Sequence, residues 1–191
     1  MKIEKPVARH DFNGLLSGKA IAVSVKKLKD AAFFANKEGV DPEQILYQVC
    51  LLEPSVIQSG SLNWGLSVLN PVTINGECCM TRGHWHQDRE CDEIYVGQSG
   101  CGLLMLMDES GTTWCEEVST GSVHMINGKL AHRLINTGDE PLKVICCWPC
   151  RAGHDYAAAE EMPFGCRVYK QADGTIASIP SSSKNEQGAS V

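Results

Sequence analysis

The strongest constraint on the fold is the rhythm of turn-forming residues between about residues 60 and 175. Asn75-Gly76, Gly100 with Gly102, Asp108 through Gly111, Thr120-Gly121, Asn127-Gly128, Thr137-Gly138-Asp139 and Asp173-Gly174 break the chain at short intervals. The runs between them, 62–70, 93–97, 103–107, 123–126, 130–136 and 142–148, are short, apolar and suited to strands. They leave no room for the helix that each parallel crossover requires, so the pattern predicts an all-β antiparallel sandwich or barrel, with the closed jelly roll favoured. Few helices are expected. Ser24 can cap one running to Lys37, with Leu28, Ala31, Ala32 and Ala35 on one face, and Asp155 can cap a short one before Pro163. The 191 residues contain no repeat and no dividing linker. The expected organisation is an N-terminal extension over 1–45 packed on the barrel, the barrel over 46–180, and a flexible serine-rich tail over 181–191.

Residues 84–93 carry the chemistry. Side chains two apart on a strand share a face, so His84 and His86 point the same way. Glu93, seven residues past His86, is placed for a hairpin to return it to the same cavity, and His132 lies on a later strand beyond the Gly121 turn. A single histidine is more often a packed or surface residue than a ligand. Three imidazoles and a carboxylate together form a divalent-metal site suited to Fe(II), Zn(II), Mn(II) or Ni(II).

Charge and cysteine content exclude other classes. A net charge of −6 without a basic stripe argues against nucleic acid as a partner, and no apolar run is long enough to span a membrane. The N-terminus does not read as a signal peptide, so the expected compartment is the cytoplasm. There the ten cysteines, mostly set in apolar stretches, read as buried thiols and not as a disulfide framework. Cys147-Trp148-Pro149-Cys150 has redox-motif spacing but ends a predicted strand instead of opening a helix, so it reads as incidental.

Residues 76–136 resemble the two motifs of the cupin superfamily. The blocks Thr81–His86, Glu93–Val96, Ala131–Pro141 and Ala152–Tyr156, the last of which general cupins do not carry, resemble more closely the cupin-type glucose-6-phosphate isomerases best known from archaea. The resemblance runs from about Tyr47 to Ile179. It implies a cupin jelly-roll barrel, a homodimer, and one divalent ion per subunit, with Fe(II) favoured, on His84, His86, Glu93 and His132. It further implies isomerisation of glucose 6-phosphate and fructose 6-phosphate. Thr81, Gly83 and Ser67 match positions that hold the substrate phosphate, and Tyr47, Tyr95, His154 and Tyr156 match the sugar pocket. Arg82 stands where a lysine is expected, and Lys129 and Trp148 where tyrosines are; Arg82 and Lys129 flank the histidines and suit an anion or a solvated face equally well. Glu93 is the candidate proton carrier, with His154 and Tyr95 as candidate assistants. A cupin Fe(II) dioxygenase and a non-catalytic sugar- or metal-binding cupin are the competing readings.

Overall fold

The computed structural model describes residues 1–181; the remainder of the expected tail, 182–191, lies outside the described residues. In chain order the strands are β1 (Arg9–His10), β2 (Leu16–Ser17), β3 (Ile21–Lys27), β4 (Ile45–Leu52) and β5 (Leu62–Leu69). Then come β6 (Thr73–Ile74), β7 (Glu77–Cys78), β8 (Glu93–Ser99), β9 (Gly102–Met107) and β10 (Thr113–Val118). The last are β11 (Val123–Ile126), β12 (Ala131–Asn136), β13 (Leu142–Pro149), β14 (Cys166–Lys170) and β15 (Ile176–Pro180).

A six-stranded sheet, in the order β11-β8-β13-β5-β4-β3, and a three-stranded sheet, β10-β9-β12, contribute to one buried core. Leu46, Leu69, Tyr95 and Val144 come from the larger sheet and Leu104, Leu106 and Leu134 from the smaller. A four-stranded sheet, β15-β14-β7-β6, adds Ile74, Cys78 and Val168 to the same core. All pairings are antiparallel, as the turn rhythm predicts. Full burial of a Leu, Ile or Met side chain contributes roughly 1.5–3 kcal/mol. A core of this extent needs no covalent staple, and all ten cysteines are free thiols.

The helix expected over residues 24–37 does not form. Strand β3 runs through Ser24 to Lys27, and a single 3₁₀ turn, Leu28–Asp30, follows. Ile21, Val23 and Val25 are β-branched at alternate positions and pair with β4 in register, which outweighs the helical spacing downstream. That spacing has its own origin: Leu28, Ala31 and Phe34 are buried in the core while Ala32 and Ala35 are exposed. Strand β3 thereby joins residues 21–27 to the barrel's larger sheet as its edge strand. Upstream, the β1–β2 hairpin lies over the outer face of that sheet, where Leu16 packs in a smaller cluster with Cys50, Leu66, Val68 and Ile145. The Gln98 amide fastens the intervening loop by donating to the carbonyls of Asp11, Phe12 and Gly14.

The second expected helix is present as α1 (Tyr156–Glu161), and the Asp155 carboxylate accepts from the Ala158 N–H at 3.0 Å. Among the described residues no helix is long and apolar enough to cross a membrane.

Candidate metal centre and sugar cavity

The segment from Met80 to His86 runs antiparallel to β12, outside any named strand. Met80 bridges Ile135, the Thr81 N–H donates to the Leu134 carbonyl, and His84 and His132 exchange backbone hydrogen bonds of 3.2 and 3.0 Å. His84 therefore sits directly opposite His132, and alternation turns His86 to the same side. Glu93 opens β8, paired with Ile126 of β11, and with Tyr95 faces inward. One donor atom from each of His84, His86, Glu93 and His132 falls within 4.8 Å of every other.

Their hydrogen bonds suit metal ligation. The Nδ1–H of His86 donates to the Cys91 carbonyl at 2.6 Å, which directs Nε2 into the cluster, 3.2 Å from Glu93 Oε2. His132 Nε2 lies 3.1 Å from the same oxygen, out of line for a hydrogen bond. The Nε2 atoms of His84 and His132 are both buried without a hydrogen-bond partner. Two orphaned imidazole nitrogens aimed at a buried carboxylate are the donor set a divalent cation satisfies.

Electrostatics agree. Burial and the neighbouring imidazoles of His132, His154 and His86 push His84 well below its usual value, which keeps it a neutral ligand. Burial would raise Glu93, but His132 and His86 outweigh it and hold the carboxyl below its usual range. Burial would lower His86, yet Glu93 and the Cys91 carbonyl raise it overall.

Above the cluster opens a cavity of ≈ 250 Å³, lined by Tyr47, Ser67, Thr81, Arg82, Gly83, His84, Glu93, Tyr95, His154 and Tyr156 among others. Nearly every residue expected to bind or act on the sugar phosphate thus lines one cavity. The His154 and Tyr156 rings stack at 5.6 Å, and the His154 ring centroid lies 4.3 Å from that of His84. Burial pushes Tyr47 up to about 12 and Tyr95 well above the usual phenol value, so both phenols stay protonated donors at neutral pH. Arg82 stacks over Tyr156 at 4.2 Å and pairs with Glu160 at 2.5 Å.

Lys129 is the exception. It is exposed in the turn between β11 and β12, where its N–H bonds to Asn127 Oδ1 and its Nζ stands 4.0 Å from Glu90; it does not line the cavity. The turn closes on Asn127 and aims the lysine at solvent.

Several wall residues went unread in the sequence. Cys146 and Gly65 lie opposite each other on β13 and β5, and a Cβ on Gly65 would stand 2.9 Å from the Trp148 ring. Their phase was available, two residues before Trp148 and Ser67 respectively. Ser24 also lines the cavity, and its assignment to a helix hid it. The Cys147–Cys150 pair shows no redox feature. No helix opens at the pair, since α1 begins only at Tyr156, and burial raises both thiols.

An antiparallel barrel that buries a three-histidine, one-carboxylate cluster beneath a cavity has the architecture of a cupin, and the cluster is consistent with a divalent-metal site. A family model described as Glucose-6-phosphate isomerase (GPI) matches residues 27–186. The chain belongs to the glucose-6-phosphate isomerase family. It is 31% identical over 159 residues to the glucose-6-phosphate isomerase of Thermococcus litoralis, covering 80% of this chain and 83% of the relative. The Pyrococcus abyssi protein of the same name is 33% identical over 162 residues, covering 81% and 84%. The Sinorhizobium medicae protein of that name is 29% identical over 163 residues, covering 85% and 75%.

Proposed function

We propose that this chain interconverts glucose 6-phosphate and fructose 6-phosphate, with Glu93 moving the proton between C1 and C2. The observation that carries this reading is the placement of Glu93. It is a buried carboxylate at the floor of a small cavity whose wall holds hydroxyl, phenol and guanidinium donors. At ≈ 250 Å³ the cavity falls just below the roughly 300–1,000 Å³ typical of drug-sized ligands, a fit for a small metabolite.

The cluster His84, His86, Glu93 and His132 would hold one divalent ion, for which Fe(II) is our preferred identity ahead of Zn(II), Mn(II) or Ni(II). The chemistry such an ion supplies when bound is polarisation of the sugar's carbonyl and hydroxyl oxygens. The remaining work falls to the chain. Ser67, Thr81 and Tyr156, with Arg82 released from Glu160, donate to the phosphate; Gly83 lets the backbone approach it. Tyr47 and His154 hold the sugar chain. Tyr95, buried two residues from Glu93 on the same face, orients the substrate or the carboxylate. Aldose–ketose exchange then needs a carboxylate within reach of both carbons, and Glu93 takes the proton from one and returns it to the other. On this reading the reaction runs in the cytoplasm and the working form is a homodimer, in keeping with the resemblance to the cupin-type isomerases.

A coupled isomerase assay on protein reconstituted with each metal tests the reading. Metal-dependent turnover of both sugar phosphates is expected. Oxygen consumption without isomerisation would point to a dioxygenase instead, and metal and sugar binding without turnover to a non-catalytic module.

A further inference from the structure

Behind the loop that carries Arg82 and Gly83 lies a second cavity, of ≈ 480 Å³. It shares Arg82, Gly83 and Tyr156 with the sugar cavity but is lined by none of the four candidate metal ligands. Three guanidinium groups line it. Arg82 pairs with Glu160, and Arg167 Nη1 pairs with the buried Glu77 at 2.6 Å. The lining acids, Asp30 and Glu160, are both exposed.

Arg133 differs from the other two. Among the described residues it has no carboxylate partner. Its Nη1 contacts Met80 Sδ at 3.0 Å, its Nη2 donates to the Arg82 carbonyl at 2.9 Å, and its buried Nε meets no acceptor. Its Cζ sits over the Phe164 ring, 4.1 Å from the centroid. Burial and the charge of nearby Arg167 lower it to about 10, so it still carries its proton at neutral pH. A guanidinium withdrawn from water with no carboxylate in contact is unfavourable, and Glu77, whose charge helps Arg133 keep its proton, is already engaged by Arg167. An oxyanion in the cavity would supply the partner that Arg133 lacks, because guanidinium forks match carboxylate and phosphate oxygens.

We propose that this cavity is a second ligand site, separate from the sugar cavity, for a small metabolite bearing a phosphate or carboxylate group. Arg133 and Arg167 take the oxyanion, and Phe33 and Phe164 supply apolar wall for the remainder. Because Arg82 and Tyr156 belong to both cavities, an occupant here touches the wall of the other.

Cys166 reports on occupancy, since it is a half-buried free thiol that lines this cavity and not the other. In the metal-loaded full chain at mildly alkaline pH, alkylation of Cys166 by iodoacetamide is followed by peptide mass spectrometry. The probes are inorganic phosphate and acetate at tens of millimolar, against chloride at equal ionic strength. The favoured anion should slow Cys166 by about threefold, the factor expected when a probe stands at about twice its Kd. Which anion protects more identifies the ligand class, and the exposed Cys101 should react at an unchanged rate. Two variants should abolish the protection: Arg133→Gln, which removes the charge, and Ala32→Trp, which fills the exposed wall and so keeps the test valid if the first does not fold. Equal Cys166 rates in both anions and chloride would overturn the proposal, as would full protection persisting in the folded variants.

Discussion

Substituting Gly83 by alanine separates two costs that the structure imposes at one residue. Gly83 has φ of +77°, and a Cβ there would stand 2.8 Å from Phe164 Cε2, 2.9 Å from Arg133 Nε and 3.2 Å from Arg133 Cβ. Phe164 is 2% exposed and stacked beneath the Arg133 guanidinium, while Arg133 is tied to the Arg82 carbonyl, so neither neighbour can yield alone. The left-handed backbone costs about 1–2 kcal/mol for an alanine. Overpacking against two confined groups adds about 1–3 kcal/mol, for a total of about 2–5 kcal/mol. Gly111 is the control, since its φ is +85° and a Cβ there meets nothing within 4 Å. Gly111→Ala should lose only the backbone share. At about 2–4 °C per kcal/mol for a chain of this length, Gly83→Ala should melt about 2–12 °C below Gly111→Ala. Urea titration should show the same ordering, and metal content should drop only in Gly83→Ala, because His84 follows directly. Equal losses in the two variants would refute the steric argument.

In Glu93→Gln the side chain keeps its size and one oxygen but loses the ionisable group; turnover should fall by about a hundredfold or more while metal is partly retained. Near-normal turnover would remove Glu93 as proton carrier, and failure of the parent enzyme to exchange the transferred hydrogen with solvent deuterium would favour hydride shift. Dialysis against a chelator should abolish activity and lower the melting temperature. At a hundred times Kd a bound ion stabilises by about 2.7 kcal/mol, so a shift of about 5–11 °C is expected, with both effects reversed on adding metal back. Brief alkylation of the native protein should modify Cys101, which is exposed, and spare Cys78, Cys79 and Cys146. Those three are buried, and burial pushes Cys78 to about 11 and Cys79 to about 12; labelling of all ten thiols at one rate would show that the barrel opens readily.

Local pattern determined a good deal about this protein. Turn residues at short intervals dictate antiparallel strands, and β5, β8, β9, β11, β12 and β13 fall where those intervals place them, whereas the two-residue β6 and β7 and the longer β10 went unread. The two-residue period puts His84 and His86 on one side, and the Asp155 cap starts α1. Each of these depends on neighbours within a few positions, which a sequence displays directly. Tertiary structure decided the rest. Strand β3 exists because β4 offers it a pairing edge, although Leu28, Ala31 and Phe34 imitate a helical stripe. Lys129, adjacent in sequence to the third histidine's strand, turns to solvent, whereas Ser24, more than a hundred residues from His132, lines the same cavity as the metal cluster. Arg133 follows His132 directly yet faces the opposite cavity, beside Arg167 from β14. Alternation says that consecutive residues face opposite ways. What each face meets depends on strand order and register, which are set by contacts between distant segments.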